Sequence, residues 1–140
     1  MEQYKKPLPE IDEDTKSFWE AVKNHELLIQ RCQICGKYPP THHPIGAAGC
    51  PDHGDEQMEW VKASGKGKVF TFVVYHRPFH PAFVADLPYN VSVIELNEGP
   101  LIMSNVVGCA NDDIKIGMPV EVVFEDITNE HALFKFKPAA

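Results

Sequence analysis

The sequence predicts a mainly β protein in three consecutive parts: an N-terminal helical arm, a small metal-binding ribbon, and a five-stranded antiparallel barrel. Three observations carry this. Residues 12–23 place apolar side chains on one helical face behind a run of acids. Cys32-Gln-Ile-Cys35-Gly36 and Cys50-Pro-Asp-His53-Gly54 repeat one device: ligand, two spacers, ligand, glycine. From Gly65 onward, β-branched and aromatic residues gather in five short runs separated by turn-forming residues.

Composition bounds the reading. The 140 residues are 44% hydrophobic, enough for one ordinary domain, or a small module joined to one. The net charge is −7 and the pI is near 5.4. A binder of nucleic-acid backbones normally carries a basic surface, so this balance argues against one. Met1-Glu-Gln-Tyr-Lys-Lys6 leads into no apolar core of a secretory leader. Apolar runs reach about four residues, far short of the roughly 20 that span a bilayer. The expectation is a soluble, cytoplasmic protein without a membrane contact.

In chain order, Pro7 and Pro9 mark an extended arm. Asp12, Glu13 and Asp14 suit the positive end of a helix dipole. Phe18, Trp19 and Val22 then form one apolar face, which predicts a helix over about residues 12–24. That face packs either on the chain's own core, the preferred reading, or on a partner subunit. Residues 1–25 form this first part.

Residues 26–61 read as strand, knuckle, loop, knuckle, strand, the layout of a zinc ribbon. Glu26–Arg31 and Gln57–Val61 are the strands. Each ligand pair comes from one tight turn, and the glycine after it permits a positive φ. Three thiolates and one imidazole suit a tetrahedral divalent ion. In a reducing compartment a metal is a better reading of these cysteines than disulfides. Cys32, Cys35, Cys50 and His53 are therefore the predicted Zn2+ ligands, with His42 and His43 in the intervening loop as rivals for the fourth place. Four protein ligands leave no open position for water, so the role is structural.

Residues 62–140 are all β. The predicted strands are 67–75, 89–96, 101–107, 120–126 and 132–137, five in about 75 residues. Short antiparallel strands at this spacing suggest a small closed barrel of the OB type. A long proline-interrupted loop over 75–90 separates the first two. It gathers Tyr75, His76, Arg77, His80 and Asp86 among Phe79, Phe83 and Leu87. A loop of that length in a small barrel is usually functional. Cys109, after a strand end, reads as a small packing residue rather than a nucleophile. Asp112-Asp113 reads as a solvated turn.

Several pieces together carry a family resemblance: the helix with Phe18-Trp19, Leu28-x-x-x-Cys32-x-x-Cys35-Gly36, Cys50-Pro51, Trp60, Ser64-Gly65-x-Gly67-x-Val69-Phe70-Thr71-Phe72, Pro88-Tyr89-x-Val91-x-Val93-x-Glu95-Leu96-x-Glu98-Gly99-Pro100, and Ile116-Gly117-Met118-Pro119-Val120. Over nearly its whole length the chain resembles the family called domain of unknown function 35, acyl-CoA-associated proteins with a rubredoxin-like zinc ribbon and an OB-fold. The family's second knuckle commonly reads C-P-x-C-G. Here His53 takes the place of its last cysteine and remains a competent ligand.

The resemblance implies a non-catalytic companion subunit that binds and supports a thiolase-like enzyme acting on acyl-CoA substrates. Thiolytic cleavage of a bulky or aromatic β-ketoacyl-CoA is the leading expectation; an aldolase (retro-aldol lyase) or hydratase partner is the alternative. No catalytic residue is assigned to this chain. Arg77, His76 and His80 are the candidates for contact with a coenzyme A thioester or with the partner, Arg77 through a phosphate or carboxylate. Two readings of other classes stand beside it: a single-stranded nucleic-acid-binding module, which needs a basic aromatic groove, and a small independent enzyme using His76 or His80.

Overall fold

The computed structural model describes residues 4–39, 49–54 and 56–139. Its elements run α1 (Lys16–Lys23), β1 (Leu28–Cys32), β2 (Met58–Lys62), β3 (Lys66–Tyr75), β4 (Tyr89–Leu96), β5 (Leu101–Ser104), β6 (Pro119–Asp126) and β7 (Ala132–Pro138), with 3-10 turns at Pro81–Asp86 and Asn111–Asp113. None of the described helices is long and apolar enough to cross a membrane.

The helix begins later than its charge pattern predicts, and the reason is local. Asp12 Oδ1 accepts the Thr15 N–H at 2.9 Å, and Thr15 Oγ1 accepts the Asp12 N–H at 3.1 Å. This reciprocal pairing closes a turn ahead of the helix, whose N-cap is Thr15, and the acids sit in that turn rather than in the helix. On the inner face Phe18 and Val22 are fully buried. The Phe18 ring meets Phe134 edge-on at 5.4 Å and lies 6.2 Å from Trp60. The apolar face is thus spent on the chain's own core, in one cluster with Leu27 and Ile29 of the ribbon side and Val69, Ile94, Ile102 and Phe136 of the barrel.

β1 and β2 pair antiparallel, with Leu28 opposite Lys62 and Cys32 opposite Met58. The other five strands form a second sheet in the order β5-β4-β3-β6-β7. A register shift between Val69 and Thr71 marks a bulge in β3. Such a bulge bends a strand, and here it divides the part of β3 paired with both β4 and β6 from the part paired with β4 alone. The sheet curls until its two edges meet. The segment after β5 runs parallel to β7: the Phe136 N–H donates to Asn105 C=O at 2.9 Å and the Val107 N–H to Phe136 C=O at 2.7 Å. The third strand therefore ends at Ser104, and residues 105–107 serve as the closing bridge instead of continuing it. This is the five-stranded, partly open OB architecture.

Candidate metal centre and barrel cleft

Each knuckle is a hydrogen-bonded turn with the same wiring. In the first, the Gly36 N–H donates to Cys32 C=O at 2.9 Å; in the second, the Gly54 N–H donates to Cys50 C=O at 2.9 Å. Gly36 and Gly54 have φ of 74° and 72°, a left-handed backbone that a side chain would strain. The turns are fastened together by Lys37 and Asp52, 2.9 Å apart. That contact holds the Asp52 carboxyl below its ordinary value and the Lys37 ammonium above its own.

The two turns bring four donors to one point. The ligand atoms of Cys32, Cys35, Cys50 and His53 all lie within 4.8 Å of one another. Cys35 Sγ is 3.5 Å from Cys50 Sγ, and His53 Nδ1 is 3.7 Å from Cys32 Sγ and 3.6 Å from Cys50 Sγ. Bond lengths of about 2.3 Å to sulfur and 2.0–2.1 Å to nitrogen make tetrahedral edges of roughly 3.5–3.8 Å. The donor set and its spacing fit a tetrahedral ion. Burial pushes the Cys50 thiol up, but the Asp52 backbone N–H, the His53 ring and Cys35 outweigh it and bring the thiol down to about 6. The Lys37 backbone lowers the Cys35 thiol, while burial and the sulfurs of Cys50 and Cys32 raise it to a net value above the ordinary. A cation beside the Cys35 sulfur would favour its thiolate and so oppose that rise. His42 and His43 lie outside the described residues.

A second concave feature lies across the barrel. A cleft of about 400 Å³ is walled by Tyr4 and Lys6 of the arm, Phe83 and Asp86 of the long loop, and Asn105 and Cys109 after β5. Lys6 pairs with Asp86 and places its ammonium 5.5 Å from the centre of the Phe83 ring, so the arm straps the loop to the barrel. Beneath the cleft, Asn90 is 5% exposed. Its Nδ2 donates to Val106 C=O at 2.8 Å and its Oδ1 accepts the Val106 N–H at 2.8 Å. Ser92 and Asn111 complete this buried network.

The three loop candidates do not converge on that cleft. His76, Arg77 and His80 are exposed, and none lines it. The His80 ring has a structural task, accepting the Ala82 N–H at 3.0 Å at the start of the 3-10 turn. Phe79 is 80% exposed. Tyr4, Lys6, Asn90 and Cys109 went unnoticed as neighbours because they are far apart in sequence. The one available signal was polarity at inward positions: Asn90 and Ser92 interrupt an otherwise apolar inner register on β4.

Comparison with known proteins adds the following. Residues 60–125 match the family model described as ChsH2, C-terminal OB-fold domain. The chain is 40% identical over 134 residues to a probable enoyl-CoA hydratase alpha subunit of Thermomonospora curvata, a match covering 96% of this chain and 40% of that protein. It thus spans about two fifths of that relative's length. It is 36% identical over 129 residues to a DUF35 domain-containing scaffold protein of Methanocaldococcus jannaschii, covering 86% of this chain and 87% of that protein. Among solved structures, a chain of the Ltp2-ChsH2(DUF35) aldolase superposes with a TM-score of 0.80 at 40% identity, covering 94% of this chain and 99% of that chain.

Proposed function

The chain belongs to the DUF35 family, and from that membership we propose that it is the companion subunit of an enzyme complex acting on acyl-CoA thioesters. The observation that carries this is its likeness, over 99% of its counterpart's length, to the DUF35 chain of the Ltp2-ChsH2(DUF35) aldolase. An aldolase-type catalytic partner that cleaves a carbon–carbon bond of its substrate is the preferred form. A hydratase partner is the second form, favoured by the likeness to an enoyl-CoA hydratase alpha subunit. Thiolytic cleavage has less support, because neither of these relatives is described as a thiolase.

In this reading the chain's own contribution is architectural. Zn2+ held by Cys32, Cys35, Cys50 and His53 makes the ribbon rigid, with every coordination position filled by protein. Free thiols of that kind suit a reducing compartment such as the cytoplasm. The barrel and loop then present surfaces to the catalytic subunit, with Arg77, His76 and His80 available to it or to the coenzyme A it holds. A nucleic-acid role is disfavoured by the net charge of −7.

The test is co-expression with the aldolase-type subunit of the same organism. The expected result is co-elution in a defined stoichiometry, and loss of acyl-CoA cleavage when this chain is omitted. A catalytic subunit that is fully active and stable alone would overturn the proposal.

A further inference from the structure

The outside of the barrel is divided into two unlike halves. On β6 and β7 the outward positions include Glu121, Glu125, Lys135 and Lys137, tied across the strands as Glu125–Lys135 at 2.6 Å and Glu121–Lys137 at 3.5 Å. Antiparallel sheets that face water on one side look like this. On β3, β4 and β5 the outward register is apolar toward the loop end, beyond Thr71 and the Lys68–Glu95 pair. Val73 stands opposite Val91, Tyr75 opposite Tyr89, and Val93 opposite Met103. Ser92 and Ile94, the alternate residues, are fully buried on the inner side, so the outward assignment of Val91 and Val93 follows from the pleat. Val73 is 52% exposed. Phe79 packs edge-on against Tyr75 at 5.0 Å and still leaves 80% of its surface open. The result is a continuous apolar strip on three strands, extended by an aromatic from the loop.

This strip lies where the fold favours binding. In OB architectures ligands meet the face of the second and third strands and the loop joining the first to the second. Here those strands are β4 and β5, and that loop is residues 76–88. We propose that this face is the docking surface for the catalytic subunit, an apolar protein surface edged with carboxylates. The proposal rests on the companion-subunit reading and adds where the contact is made.

Charge selects this occupant over two others. Among the described residues Arg77, beside Phe79, is in no ion pair, while the acid of its own loop, Asp86, is taken by Lys6, and Glu95 at the far end of the strip by Lys68 at 3.3 Å. A second copy of the chain would bring the same patch, whose carboxylate is already paired, and another net charge of −7. An isologous contact of that kind leaves Arg77 uncompensated. Single-stranded nucleic acid needs a row of cations beside its stacking rings. The strip has rings in Tyr75, Tyr89 and Phe79, but Val73, Val91, Val93 and Met103 put no cations between them. A foreign protein surface with an apolar centre and an acidic rim satisfies both the strip and Arg77.

The experiment measures binding of the full chain to the co-expressed aldolase-type subunit by calorimetry. Variants Val73→Glu and Val93→Glu put a charge into the strip, and Phe79→Ser removes its most exposed ring without touching the core. Val123→Glu makes the same change on the ion-paired half. Each variant is first checked for an unchanged melting profile. The expected result is a loss of about tenfold or more for the strip variants, Phe79→Ser included, and none for Val123→Glu. Wild-type binding left unaltered by the strip variants would overturn this surface while leaving the companion-subunit reading intact. Absence of any complex with the wild-type chain would overturn both. Loss of self-association or of oligo(dT) binding in the strip variants, with the subunit complex retained, would assign the face to a different occupant and overturn the proposal.

Discussion

His53 Nδ1 lies 3.7 Å from Cys32 Sγ, although 21 residues separate them and one belongs to each knuckle. Two turns placed tip to tip in this way, held by Lys37 and Asp52 beside them, have the spacing that a shared tetrahedral ion requires. The expected outcome is one Zn2+ per chain by elemental analysis, and a substantial fall in His53→Ala. His42→Ala and His43→Ala should retain the metal. Stoichiometric zinc in His53→Ala, with loss in either of the others, would move the fourth ligand into the intervening loop.

Asn90 is the keystone of barrel closure. It clamps both backbone groups of Val106, and the residues on either side of Val106 carry the bridge to Phe136. Asn90→Leu keeps roughly the same volume but leaves a buried N–H and a buried C=O without partners, at about 1–3 kcal/mol each. Chemical denaturation should show a loss of roughly 2–4 kcal/mol, with amide exchange accelerated first in the 105–107 and 132–138 segments. A loss below about 0.5 kcal/mol would mean that water satisfies Val106 equally well.

The Ser64-Gly65-x-Gly67 motif has a packing cause. A Cβ on Gly67 would collide with the backbone carbonyl oxygen of Glu95 on the paired strand. Backbone cannot yield as a flexible side-chain tip does, so Gly67→Ala should separate β3 from β4 locally. The expected result is a destabilisation of about 1–3 kcal/mol and altered exchange at 94–97. An unchanged melting temperature would show that the strands separate at little cost.

What could be read in advance followed the range of the forces involved. The spacing of the knuckles is set by local turn geometry, so the convergence of Cys32, Cys35, Cys50 and His53 on one point was legible in the sequence. The strands were legible because β-branched residues cluster in each, and only their ends moved. The third was read through residue 107, but Asn90 captures Val106 across the barrel and diverts the chain into the closing bridge. The late start of α1 came from an Asp12–Thr15 exchange that mere charge counting does not see. The cleft was invisible, because Tyr4, Lys6, Asp86 and Cys109 meet only through tertiary folding. The apolar outer strip was hidden for a different reason: a strand apolar on both faces reads as simply buried, and only pairing register shows which half of the barrel is left uncovered.

Lys6 ties the arm to the loop through Asp86 and lies over Phe83. Its hydrogen bond to the Asp86 carboxylate raises the lysine's pKa above its ordinary 10.5 against a smaller opposing effect of burial. A base whose folded pKa is raised contributes stability that is complete below the unfolded value and is lost as pH rises through the folded one. The strap should therefore hold across the neutral range and release only in strong base. Both groups are partly exposed, so the pair is worth under about 1 kcal/mol. Lys6→Gln should lower the melting temperature slightly at pH 7 and hasten proteolysis within residues 4–10, and the stability difference from wild type should vanish once the pH has risen through the raised pKa of Lys6. A difference that persists there would assign the effect to lost contact with the Phe83 ring rather than to charge.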